Sequence, residues 1–389
     1  MSIDDNGLNP CCSCGVCTVA CSLGAINMVY DENGFLIPKI DNSICSHCGI
    51  CKKVCYKYLN LEDIAENSSA SKRIFAAWSK DSKIVQSTSS GGVGYELLKY
   101  YQEKSYNVAG VKYNFEKQRC EHIIATNPKD LEQIKGSKYL QSYTAEAFKN
   151  FKKAGKFVVI GTPCQIYGLR KLVTLWNRND DFIFIDFYCH GTPSNLLWKK
   201  YVDHIREKHK ITKISLLSFR CKKNATWHKY SIRISDGINE YSSVYSNDLF
   251  FNYYLSNACL NKSCYNCLLR FGHISSDIRI ADFWGEKYKD NQNGVSLVLI
   301  NTELGGNVFE NIRDKIHVEC CNNEDLVQSQ PVRQVMENKN NKEIMKYLHS
   351  DMSLETIYNK TLRGNIVIFI IGKIKKKIKQ LILFTTNFR

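Results

Sequence analysis

Two runs of cysteine constrain this chain more than anything else in it. Cys11, Cys14, Cys17 and Cys21 are spaced C-x2-C-x2-C-x3-C, and Cys45, Cys48, Cys51 and Cys55 repeat that spacing. A segment of about 60 residues carrying nine thiols, eight of them in the two runs, has little apolar core of its own, so something else must tie it together. The choice lies between disulfides and metal. The first ten residues, MSIDDNGLNP, are acidic and polar and do not read as an export signal. Without export, disulfides do not persist, and clustered thiols bind metal. The expected location is therefore the cytoplasm.

Three closely spaced thiolates grip three corners of an iron–sulfur cubane, while the fourth cysteine of such a run lies too far along the chain for the same cluster. This is the spacing of bacterial ferredoxins. It gives crossed ligand sets, Cys11, Cys14, Cys17 and Cys55 for one 4Fe–4S cluster, and Cys45, Cys48, Cys51 and Cys21 for a second. Zinc prefers two pairs separated by a longer gap and fits two complete runs badly. The proline that commonly follows the fourth cysteine is replaced by Ser22 and Tyr56. Cys12 is an extra thiol outside both sets. Two clusters move electrons rather than rearrange carbon, so the rest of the chain must hold the partner for those electrons.

The rest is long enough for that. Residues 1–60 form the ferredoxin-type unit, residues 61–73 read as a polar linker, and a body follows to about residue 330. In the body, apolar strands alternate with helices. IFAAWSK, STSSGGVGYELLKYYQEKS and NVAGVKYN give one strand–helix–strand unit, and KFVVIGTPCQIYGLRKLV and DFIFIDFYCHGTPSNLLWKKYV repeat the design. The fold class is an α/β (α+β) body with a small ferredoxin-like N-terminal domain. Ser89, Ser90, Gly91 and Gly92 open a helix, where small residues either let backbone N–H groups approach an anion or simply cap the helix. Cys164 and Cys189 stand at strand ends, where ligands gather in such folds. With the C-x2-C pair Cys264 and Cys267 they make four thiols, enough for a third cluster, or else buried free thiols that act as small hydrophobes. Cys120, Cys221, Cys320 and Cys321 are read as buried free thiols.

The ordered set SSGGV, GSKYLQS, GTPCQIYGL, FYCHGTPS, SCYNC and DIRIADFWG resembles the coenzyme F420 hydrogenase/dehydrogenase beta-subunit family, over roughly residues 1–330 with the ferredoxin unit included. The resemblance assigns residues 74–155 to the N-terminal region of such proteins and 156–330 to the C-terminal region. It implies FAD and an iron–sulfur cluster in the body. Ser90, Gly91 and Gly92 would approach the FAD pyrophosphate, Lys138 would turn its charge to a phosphate, and Thr162, Pro163 and Gln165 would border the isoalloxazine. Cys164, Cys189, Cys264 and Cys267 would hold the third 4Fe–4S cluster, with Cys259 as a substitute ligand. The family name also brings in coenzyme F420, to which no particular residue is assigned.

The function expected from these readings is an iron–sulfur flavoprotein oxidoreductase. Electrons would come singly from a donor such as ferredoxin or reduced F420, and a flavin would gather two for a small-molecule or sugar-linked substrate, with surface polysaccharide biosynthesis as a setting. His190, at a strand end, is the candidate proton donor or a structural hydrogen-bonder. Asp282 binds a flavin ribose or caps a turn. The alternatives are a non-catalytic electron-transfer subunit and an F420-dependent reductase or dehydrogenase. The net charge of +15 invites nucleic acid, but no basic–aromatic recognition motif is present, so none is expected. Residues 331–389 end in GNIVIFIIGKIKKKIKQLILFTTNFR, which has six basic residues and no acidic one. Its longest apolar run is far short of the ~20 residues that span a bilayer. The tail is expected either to lie on the inner membrane face or to pack on the body.

Overall fold

The computed structural model describes residues 3, 7–59, 73–223, 226–271, 274–330 and 334–363. The expected linker, apart from Arg73, and the basic tail from residue 364 lie outside the described residues.

The body is built on one mixed sheet of nine strands. The ferredoxin-like unit contributes β1 (Ile26–Tyr30) and β2 (Leu36–Ile40), an antiparallel pair of its own. The large sheet uses β3 (Arg73–Ser79), β4 (Asn107–Asn114), β5 (Arg119–Ala125), β6 (Ser142–Tyr143), β7 (Phe157–Gly161) and β8 (Phe182–Phe187). A separate three-stranded sheet holds β9 (Leu216–Cys221), β10 (Ser231–Ser235) and β11 (Glu240–Val244). The large sheet is completed by β12 (Ile278–Asp282), β13 (Ser296–Ile300) and β14 (Ile316–Cys321). Its order is β14-β3-β13-β12-β8-β7-β4-β5-β6. The centre, β4, β7, β8 and β12, is parallel. β7 and β8 read FVVIG and FIFIDF and are buried nearly throughout, as parallel strands covered on both faces must be. On the β12 side, β13, β3 and β14 join antiparallel. β11, by contrast, alternates exposed and half-buried residues, the pattern of a strand with one face in water.

Five helices frame the cysteine-bearing loops and the sheet: α1 (Val16–Ala20), α2 (Ile50–Lys53), α3 (Val93–Glu103), α4 (Pro163–Leu175) and α5 (Asn195–His209). α4 begins where TPCQ dictates. Pro163 sits in the first turn, and Thr162 and Gln165 close a reciprocal capping box. Cys164 is thereby fixed in the first turn of α4, directly after β7.

The N-terminal unit is seated on the body. Val16, Val19 and Val54 share one apolar cluster with Phe148, Phe157 and Leu169 of the body. Gly168 of α4 leaves room for this, because a side chain there would meet Val16 and the Val54 carbonyl. Polar ties surround the seam. Thr144 Oγ1 donates to the Cys14 carbonyl at 3.0 Å, Asn261 Nδ2 to Ser13 Oγ at 3.1 Å, and the Leu36 N–H to Gln141 Oε1 at 2.9 Å. The Leu268 N–H donates to the Tyr56 hydroxyl at 3.1 Å.

Candidate redox site

The cysteine repeat is also a repeat of backbone conformation. Ser13 and His47, each just before the second cysteine of its run, have positive φ (58° and 54°). Gly15 and Gly49, each just after it, also have positive φ (75° and 76°) and cap α1 and α2. Glycine takes such left-handed steps without strain. Backbone N–H groups then reach sulfur, from Ser13 to Cys11, Ala25 to Cys21 and Lys57 to Cys55, each at 3.4 Å.

Thiols come together in the N-terminal unit and again in the body. Cys11, Cys14, Cys17 and Cys55 line one cavity, with Cys12 and Val54 beside them. Burial, reinforced by the neighbouring Cys14, Cys11 and Cys55, holds the Cys17 thiol well above its ordinary value. Burial and the Cys14 charge push Cys55 up to about 12. Cys51 is raised by burial, and Cys48 and Cys21 stand among its charged neighbours. Cys45 lies half-buried on the same loop as Cys48. In the body, burial and then Cys264, Cys164 and Cys267 raise Cys189. Cys267 is pushed up to about 11 by burial, with Cys164 and Cys264 adding to it.

Among the described residues no three His, Cys, Asp or Glu side chains converge to hold a single ion. The four thiols that line the cavity offer an all-sulfur donor set, the chemistry an iron–sulfur cluster takes. Cys259 stands apart. It is fully buried, and burial alone raises it. Of the four cysteines read as buried free thiols, Cys120 is buried, Cys221 and Cys321 are half-buried and Cys320 is exposed, because β14 is an edge strand.

Cys12, a spare thiol by its spacing in the sequence, packs with Cys164 against the apolar cluster that holds Cys14. It therefore bridges the N-terminal thiols and those of the body. Sequence reasoning also missed Arg270. Its Nε donates to the Cys189 carbonyl at 3.0 Å, and its Nη2 donates to the carbonyls of His190 and Cys264 at 2.8 and 2.7 Å. A lone basic residue three positions after Cys267 was the one signal that could have pointed to it.

The residues expected around a flavin are engaged elsewhere. Ser90 Oγ donates to the Val295 carbonyl at 2.8 Å. Gly91 is pressed against the Ala77 carbonyl and Ser296, and Gly92 (φ 85°) against Ile84 and Thr88. Gln165 spends Oε1 on the Thr162 N–H and Nε2 on Ser142. Pro163 is buried in the first turn of α4. Lys138, which burial pushes down to about 8, donates to the carbonyls of Gln133, Lys135 and Gly136, closing the end of a helix. It lines a pocket of about 70 Å3 with Ser89, Ser137 and Arg220. Sites for organic cofactors run to about 300–1,000 Å3. As placed, these residues give the FAD expectation no support. Asp282 neither caps a turn nor waits for a ribose, since its carboxylate pairs with buried Arg220. His190 Nε2 hydrogen-bonds Asn257 Oδ1 at 2.8 Å, and its ring packs against Tyr254.

An α/β body with half-buried thiols, and a second thiol-rich unit seated on it, suits a redox protein. Family comparison gives it a place. Two regions of the coenzyme F420 hydrogenase/dehydrogenase beta subunit match this chain, the N-terminal one over residues 74–149 and the C-terminal one over residues 154–325. The chain belongs to this family, and it is an oxidoreductase or an electron-transfer subunit of one. It is 31% identical over 177 residues to a coenzyme F420-dependent sulfite reductase of Methanocaldococcus jannaschii, a match covering 44% of this chain and 26% of that protein. The chain thus spans about a quarter of the length of that relative. A structure of the F420-reducing NiFe hydrogenase complex of Methanosarcina barkeri aligns over 75% of this chain and 90% of its own, at 16% identity and a TM-score of 0.43. These relatives are named for F420, and the FAD and polysaccharide expectations find no support in them. No helix among the described residues is long and apolar enough to cross a membrane.

Proposed function

We propose that this chain is an F420-linked oxidoreductase subunit, in which two electrons delivered singly by a donor such as ferredoxin, with protons from solvent, convert oxidised coenzyme F420 to its reduced form. Cys11, Cys14, Cys17 and Cys55 would hold one 4Fe–4S cluster, Cys21, Cys45, Cys48 and Cys51 a second, and Cys164, Cys189, Cys264 and Cys267 a third. Such clusters supply one-electron transfer. The observation that carries the reading is the packing of Cys12 and Cys164 against the one apolar cluster that holds Cys14. It brings the N-terminal and body thiols together, so the two parts work as one redox unit.

The chain's own residues prepare these sites in three ways. Backbone N–H groups aimed at sulfur stabilise negative charge there and favour the reduced state. The seam around Val16, Val54 and Tyr56 keeps water from the junction. The Asn257 bond and the Tyr254 ring fix the orientation of His190, which remains the proposed proton donor.

The test uses the full chain, purified without oxygen, with reduced ferredoxin and oxidised F420. Catalytic bleaching of the F420 absorbance is expected. Full iron content with no bleaching would remove F420 as the partner, and flavin released on denaturation would restore FAD.

A further inference from the structure

Arg270 is 5% exposed, and its guanidinium carries five N–H donors. Three of them bind the carbonyls of Cys189, His190 and Cys264. The remaining two are on Nη1, which is buried and has no partner among the described residues. The fork has no freedom to turn toward water. Its own carbonyl accepts from Arg279 Nη1 at 3.1 Å, and Arg279 is held by a two-point pair with Asp186 at 2.7 and 2.6 Å. Both members of that pair are buried, and Asp186 is used up by Arg279. Arg270 is thus a buried cation whose open donors have no carboxylate to meet. Leaving a charged N–H without an acceptor is costly, so the site calls for one. Its position narrows the choice. It ties the loop of Cys189 to that of Cys264, and its positive charge is felt by the thiols of Cys189, Cys264 and Cys267.

We propose that Arg270 is a positioning residue of the body cysteine site, fixing both cysteine-bearing loops through three carbonyls and donating Nη1–H to sulfur of a 4Fe–4S cluster held there. The inference rests on the reading of Cys164, Cys189, Cys264 and Cys267 as that cluster's ligands. One-electron reduction adds a negative charge, which a fixed cation beside the sulfur stabilises, so Arg270 raises the reduction potential of this site.

The experiment is a potentiometric titration of the full-length chain followed by electron paramagnetic resonance. Iron content is measured first, in the wild type and in a Cys189→Ala, Cys264→Ala double variant, which also identifies the body signal. Equal iron in the two overturns the third-cluster reading itself. With that signal in hand, Arg270→Gln is expected to lower its midpoint by at least 59 mV, a tenfold shift in a one-electron equilibrium. Arg270→Lys, which keeps the charge, should stay within about threefold of the wild type by the same conversion. An Arg270→Gln chain that keeps its iron and titrates with the wild type overturns the inference. If the glutamine variant loses iron, wild-type chain carrying 15N-arginine decides. A nitrogen coupling on the body signal that is lost in Arg270→Lys supports the bond, and no coupling refutes it.

Discussion

Gly92 shows how one residue type serves two masters. A Ser–Gly–Gly run at a helix start suits an anion, but here Gly92 holds φ at 85° and packs on Ile84, and Gly91 lies on the β3 and β13 backbones. Close packing and close approach to a ligand both ask for a missing Cβ, and sequence cannot separate them. The cysteine runs carry a sharper signal, since few structures other than a metal site need four thiols at that spacing. Arg270 was hidden, because a single arginine carries no periodicity. His122 gives a prediction at this scale. Burial pushes its imidazole down to about 4, while the unfolded chain titrates near 6.5. Above pH 6.5 both states are neutral and the stability is fully present. As the pH falls toward 4, the unfolded chain takes up a proton that the folded one refuses, and roughly 3 kcal/mol is lost. Urea unfolding of the wild type and His122→Gln should diverge in slope across that window, and parallel curves would contradict the assignment.

At the scale of elements, the strand–helix rhythm is legible where a unit closes locally, as β7, α4 and β8 do. The antiparallel flank was not legible. β3 pairs with β13 and β14, strands more than 200 residues away, and nothing in IFAAWSK names such partners. The seating of the N-terminal unit was hidden in the same way, since residues 61–73 read as a tether between separate domains. Gly168 carries that seating. A Cβ there would stand 3.0 Å from Val16 and 3.2 Å from the Val54 carbonyl. Gly168→Leu is therefore expected to cost about 1–3 kcal/mol of overpacking, placed at the seam. Hydrogen exchange should speed up in residues 16–20 and 50–55 while the β7 and β8 amides stay protected. Unchanged exchange in the N-terminal unit would mean that the seam is not the point of attachment.

Over the whole molecule, Cys12 and Cys14 of the N-terminal unit pack with Cys164 of the body. The +15 charge needs no nucleic acid to explain it in such a protein, since a basic surface also favours acidic electron donors and anionic coenzymes. The family assignment and the sulfur groups meet in one claim, that twelve of the eighteen cysteines hold three clusters. Iron and acid-labile sulfide, counted on anaerobically purified full-length chain, test it most directly. The wild type should carry about twelve irons with matching sulfide, and the Cys189→Ala, Cys264→Ala chain about eight. Zinc in place of iron, or the same iron count in both chains, would contradict the account.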